Sequence, residues 1–303
     1  MSRNETISTP LDERDSAVLP QPALSAIQAT TYSLPTRPTP GLGFGAAATA
    51  VLLSISVVII AFLAYPSGYI SDVIRTLLKW TPLIFLGPKG ELGGFVLNVL
   101  VSLIAMSFGT LLGFLLGIGQ LSHQQIVSLP SRWLTQLFRN SPWLVILFYF
   151  MLLLPYNFRI GGVEFAVPAW LKAALAFSLP IMANISEIVR GAVHSIPHGQ
   201  WEAAESLALT RAQTMRMVIL PQCIKRMIPP LMNWYAILLM STPLMSILGI
   251  SEAMTLTRDA LAAENRSEIL VPMYLWLMLW FFLSCYPIAR LTVRLERRWS
   301  VVN

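Results

Sequence analysis

His194 and His198 stand four residues apart, a spacing that zinc can use. Pro197 lies between them and breaks a helix, and no third ligand or catalytic glutamate accompanies them. Both therefore read as loop histidines, and no metal site is expected. Cys223 and Cys285 are too few for a disulfide framework. No serine, cysteine or carboxylate is set out as a nucleophile with its base, so no catalytic residue is expected. The chain also lacks a G-x-x-x-x-G-K-[ST] stretch, the usual cradle for ATP phosphates, and no cofactor is expected on it. What remains are polar side chains embedded in apolar runs. Asn184, Ser186 and Asn233 can either line a path for a polar solute or tie helices together by hydrogen bonds. Glu187 is the main charged candidate. It stands three residues before Arg190, which gives it a structural reading as an intrahelical pair beside a functional one.

Those runs are membrane spans. Of the 303 residues, 55% are apolar and only 12% charged. An average soluble domain carries about 25% charged residues, so polar surface is too scarce to coat a globule in water. A helix needs about 20 apolar residues to cross roughly 30 Å of hydrocarbon. Uncharged stretches of 34, 40, 19, 25 and 21 residues lie between Arg37 and Asp72, Glu91 and Arg132, Arg139 and Arg159, Arg226 and Glu252, and Glu268 and Arg290. A further span over about 168–189 is apolar except for Lys172 and Glu187. Six spans are thus expected, the shortest over about 141–156. The fold class is all-α integral membrane.

Residues 1–40 are rich in Pro, Ser and Thr and read as a disordered tail without a cleavable signal. Residues 41–91 hold the first span and a segment with Ile70, Val73, Ile74, Leu77 and Leu78 at helical spacing, which suits a helix at the membrane interface. Residues 92–299 form the core. A net charge of +6 could suggest nucleic acid, but Lys and Arg are scattered between apolar runs, so the expected partner is membrane lipid and no nucleic acid. With both termini inside, 14 of the 21 basic residues fall on the inner side, as the positive-inside rule requires. Gly109, Gly113 and Gly117 form a small-residue ridge that favours close helix packing.

The loop over about 191–228 is the most patterned stretch. Trp201, Ala204, Leu207 and Ala208 share one helical face, with Glu202 and Glu205 beside them. Thr210-Arg-Ala-Gln213 is a capping box that opens a second helix, and Pro221 should stop or kink it. Two short helices at an angle make a docking knob; an amphipathic segment resting on headgroups is the alternative.

The stretch GQWEAAESLALTRAQTMRMVILPQ resembles the EAA loop of ABC-importer membrane subunits, a pattern of E-A-A, a small residue and I-x-L-P. Arg139-Asn-Ser-Pro142 with Leu154-Pro155, and Glu187-Ile-Val-Arg-Gly191 with Ser195-Ile-Pro-x-Gly-Gln200, are similar to segments of the branch that carries polar amino acids. Asn233, Ser246 and Ile250 fall where that branch has matching residues. The resemblance covers about 92–298. It implies a type I importer transmembrane domain whose loop forms coupling helices in a groove of a cytoplasmic ATPase dimer, which holds the ATP and magnesium. Gly199, Glu202, Ala203, Ala204, Ala208, Leu220 and Pro221 would then be the coupling residues. The family has Gly where this chain has Ala208, so a more regular turn is expected there. Asn184, Glu187, Asn233, Ser241 and Thr242 would be pathway candidates. The last two lie in Met240-Ser-Thr-Pro243, where relatives have K-D-T-S.

Further implied partners are a second permease subunit, identical or related, and a periplasmic solute-binding protein. The implied location is the bacterial inner membrane, with both termini cytoplasmic. The rival reading is a secondary transporter or channel that works alone. Such proteins often carry internal repeats and midplane charges; no repeat relates the two halves of this chain, and Glu187 is its one expected buried charge.

Overall fold

A computed structural model of the chain describes residues 67–160 and 162–299. The expected tail and first span lie outside the described residues. Helix α1 covers Ser67–Leu86, α2 Gly94–Gln120, α3 Gln125–Arg139, α4 Trp143–Leu153, α5 Ala169–His194 and α6 His198–Ser206. Helix α7 runs from Arg211 to Leu248, α8 covers Ala253–Glu264 and α9 Leu270–Trp299. Between α4 and α5, strands β1 (Asn157–Ile160) and β2 (Val163–Ala166) form an antiparallel hairpin with Arg159 opposite Glu164. This hairpin is the one departure from an all-α fold among the described residues.

Four described helices are long and apolar enough to cross a membrane: α2, α5, α7, and α9 with the 3-10 turn before it. Helices α3 and α4 pass the same test only as a pair, and they meet at 103°. The expected span over 141–156 is only the 11-residue α4, about 16 Å long at 1.5 Å per residue and too short to cross by itself. Its partner α3 is inverted relative to a water-soluble helix. Ser128, Ser131 and Thr135 face inward, while Ile126, Leu129, Trp133 and Leu137 are exposed. Only an apolar medium suits that outer face.

Helix α5 is the central element, with most of its length enclosed by the other helices. It lies so close to α2 that a Cβ on Gly109, Gly113 or Gly117 would come within 2.7, 2.7 and 2.6 Å of Ile181, Ile185 and Val189 respectively. The contacts advance by four residues along both helices, so α2 and α5 run parallel. Two parallel spans need a return between them, and the chain that makes it consists of α3, α4 and the β-hairpin. At one end of this pair Gln120 donates to Thr135 (2.9 Å) and to Ser186 (3.0 Å), tying α2, α3 and α5. Ser186 is therefore a helix–helix tie.

Helix α1 buries Val73 and Ile84 against Phe95, Ala253, Ala260 and Met273, and leaves Ile74 and Leu78 exposed. Lys79 and Trp80 both donate to Glu264 of α8, and Arg266 pairs with Asp72 at 2.6 Å. The bonds from Lys79 and Trp80 hold the Glu264 carboxyl below the usual range. A depressed acid stabilises above its ordinary pKa and loses that contribution as pH falls through its folded one. The α1–α8 link is thus expected to loosen on acidification below about pH 4.5. Faster amide exchange in α1 at pH 4 than at pH 6, after correction for intrinsic rates, would register it.

Candidate coupling surface and pathway residues

Helix α5 ends at His194, Pro197 occupies the N-cap of α6, and the nine residues of α6 extend beyond the end of that span. Trp201 packs with Met215 and Val218 onto the principal core, and Ala204 is buried. Gln222 of α7 donates to Gln200 at 3.2 Å, and Arg226 donates to the Ser195 carbonyl at 2.7 Å. These contacts hold α6 rigidly against the first turns of α7. Gly199, Glu202 and Ala203 are exposed on the opposite side. Within the E-A-A triplet, then, the first two residues are open to a partner and the third anchors the helix to its own chain. Leu220 is half-buried and Pro221 exposed.

The turn after α6 departs from expectation. The Leu209 N–H bonds the Ala204 carbonyl and the Ala208 N–H bonds the Glu205 carbonyl, the paired bonds of a Schellman motif. Ala208 occupies its left-handed position at φ 52°. The turn is therefore not more regular for lacking glycine; the two carbonyl bonds enforce the left-handed residue, and alanine bears the strain. Ala208→Gly is expected to stabilise this turn by about 0.5–1 kcal/mol, strain relief outweighing the extra unfolded-chain entropy. Slower amide exchange over 204–210 would show it.

Thr210 accepts from the Gln213 N–H while the Gln213 side chain reaches back to the Thr210 N–H, the capping box that the sequence predicts. Pro221 does not stop α7, which runs on to Leu248. The helix widens into a π-helical stretch over Thr214–Ile219 immediately before it. Proline lacks an N–H and its ring crowds the carbonyl four residues back; the wider turn accommodates both.

The pathway candidates separate. Asn184 is buried and donates to the Pro180 carbonyl of its own helix at 2.8 Å. Glu187 is half-buried, 2.6 Å from Arg190 and 3.6 Å from Arg139 of α3. It thereby joins two of the sequence motifs, Arg139-Asn-Ser-Pro142 and Glu187–Gly191, a link that helical spacing could not reveal. Asn233 is exposed on α7, and half-buried Ser241 donates to the Ile237 carbonyl.

Thr242 is no lining residue. It is fully buried and receives a 2.9 Å hydrogen bond from Asn98, which also donates to Glu252 at 2.9 Å. Glu252, overlooked as a buried charge, is wholly enclosed. Its carboxylate accepts from the Met254 and Thr255 backbones, the Thr255 hydroxyl and Asn98. Burial pushes its carboxyl above the usual range, against the pull of these donors. Donors address both oxygens, so Glu252→Gln turns an amide NH2 toward two of them. About 2–4 kcal/mol of stability is expected to be lost despite the matched shape, readable as a lower unfolding midpoint. Lys172 is a second overlooked buried charge. It donates to the Leu154 carbonyl at 2.6 Å, at the C-terminal end of α4 where cations are favoured, and lies over the Tyr156 ring. The expectation of a single buried charge thus fails: the chain buries Lys172 and Glu252 completely and Glu187 only in part.

Residues 109–301 match the family described as the binding-protein-dependent transport system inner membrane component. The chain belongs to that family. The chain is a multi-pass permease of the ABC-importer type, a transport subunit. It is 33% identical over 207 residues to the probable amino-acid ABC transporter permease protein YckA of Bacillus subtilis, covering 68% of this chain and 88% of that protein. It is 29% identical over 208 residues to the inner membrane amino-acid ABC transporter permease protein YhdY of Escherichia coli, covering 69% of this chain. The chain spans about half of that longer relative, 56% of its length. A solved structure of an amino acid ABC transporter with histidines shares the fold at a TM-score of 0.62 and 24% identity, over 74% of this chain and 97% of that one. The permease family carries the importer reading; the secondary transporter or channel finds no support.

Proposed function

We propose that this permease forms half of a translocation pathway for a polar amino acid or a close relative, with α6 seated on a separate ATPase subunit that holds ATP and magnesium. The observation that carries the reading is the rigid α6 hairpin. It is pinned by Trp201, Ala204, Gln200 and Ser195 and offers Gly199, Glu202 and Ala203 outward. A lever must be stiff to transmit force, and this one is fixed to both α5 and α7. Amino-acid carriage is supported by the similarity to two amino-acid ABC transporter permeases. A second permease subunit completes the pathway, and exposed Asn233 is placed to face it or the solute. A buried position for such a side chain against lipid would be costly. A binding protein delivers solute from the side opposite α6, which puts α6 and both termini in the cytoplasm.

ATP and the binding protein can shift the two access states only by their differential affinity for them. Solute movement should therefore need all components. Proteoliposomes holding the permease alone should show no uptake of labelled glutamine, histidine or cystine. Adding a partner ATPase subunit and a solute-binding protein should give ATP-dependent uptake. Uptake by the permease alone would refute the reading.

A further inference from the structure

The three histidines of this chain are His123, His194 and His198, 71 and 4 positions apart in sequence, and all three line one cavity of about 400 Å³. The cavity opens where α2 and α5 end together, since Gln120–His123 and Val193–Ile196 form two of its sides. Arg132 of α3 and Arg211 at the start of α7 complete its polar lining, and Trp201 of α6 forms part of its wall. Both arginines are exposed. No acidic residue lines it. Glu205 lines an adjoining depression that also touches Arg211. A metal does not explain the gathering, because no three His, Cys, Asp or Glu side chains converge on a common point among the described residues.

We propose that this cavity binds a phosphate-bearing anion, the headgroup of an acidic phospholipid. Two guanidinium groups offer forked donors that match phosphate oxygens, and imidazole N–H groups add further donors around them. The position favours a lipid source. The ends of two parallel spans mark the edge of the bilayer, and exposed Leu129, Trp133 and Leu134 of α3 beside Arg132 place an apolar surface next to the charge. Basic pockets between helices at this level suit anionic headgroups. Because Trp201 and Arg211 belong to the segment that carries the coupling helix, an occupant would brace α6 against α3. The inference concerns lipid binding and stands whether or not α6 meets an ATPase.

The test is calorimetric titration of the full-length chain in neutral detergent with three probes: dihexanoyl-phosphatidylglycerol, dihexanoyl-phosphatidylcholine and inorganic phosphate. Phosphatidylglycerol should bind, phosphatidylcholine should not, and Arg132→Gln with Arg211→Gln should weaken binding by about tenfold or more. Arg132→Lys with Arg211→Lys should retain part of it, and Arg294→Gln, outside the cavity, should retain all of it. If the double glutamine variant does not fold, Arg211→Gln alone should still show a loss of about tenfold. Binding of inorganic phosphate as tight as that of phosphatidylglycerol would overturn the lipid assignment in favour of a free anion. Equal binding of both lipids, no binding of any probe, or unchanged affinity in the arginine variants would overturn the site.

Discussion

Glu202→Lys is expected to leave the permease folded and inserted and to remove ATP-driven uptake in the reconstituted importer. Glu202 lies on the exposed side of α6, and its side chain makes no hydrogen bond or ion pair among the described residues. Lysine keeps the helix propensity of the position, so the fold has little to lose. The buried anchors Trp201 and Ala204 stay as they are. A reversed charge inside a docking contact costs about 2–5 kcal/mol, roughly thirtyfold or more in affinity. Two measurements separate the causes: co-purification of the ATPase with the variant, and its thermal unfolding without the ATPase. A docking role requires loss in the first with no change in the second. Normal uptake by Glu202→Lys would remove Glu202 from the contact, while failure of all uptake in the wild-type complex would refute the importer assignment itself.

Gly113→Leu is expected to prevent assembly of the core. A Cβ at this position would sit 2.7 Å from Ile185 Cβ and 2.7 Å from the Met182 carbonyl oxygen. A side chain can rotate away, but the carbonyl belongs to the α5 backbone, so the two helices must part. In lipid their association rests on close packing and hydrogen bonds, because hydrocarbon competes for every apolar surface. Separation would strip the contacts of Ile181, Ile185 and Val189 and loosen the Gln120–Thr135–Ser186 knot. Overpacking costs about 1–3 kcal/mol in a yielding core; with backbone as the obstacle and a further three carbons to place, the upper end or more is expected. Cys223 is fully buried in the wild type, so its labelling by a thiol reagent in detergent reports the loss of packing. Gly191→Ala supplies the contrast. Nothing lies within 4 Å of a Cβ there, and alanine should stabilise α5 by about 0.5–1 kcal/mol.

Much of this architecture is readable without coordinates because it is local. The capping box closes within four residues, the glycine ridge repeats along one helix face, and the apolar runs mark the four long spans. The Glu187–Arg190 pair is likewise set by helical spacing, and the motif around Glu202 locates the hairpin. The misreadings share a cause. Ala208 reads as an ordinary helical residue until two backbone bonds force it left-handed, and Pro221 reads as a breaker until a π-turn makes room. Thr242 reads as a pathway residue until Asn98, 144 positions away, donates to it.

The four long spans, the ridge on α2 and the capping box that opens α7 follow from the amino-acid order, because propensity, capping and periodicity act over a few residues. Only the packed molecule decided that Glu252 and Lys172 are enclosed, that Arg139 reaches Glu187, and that three histidines share a cavity. Those outcomes depend on which faces meet across tens or hundreds of residues. That meeting is selected by steric fit between helices, a property of the assembled surfaces and of no single stretch of chain.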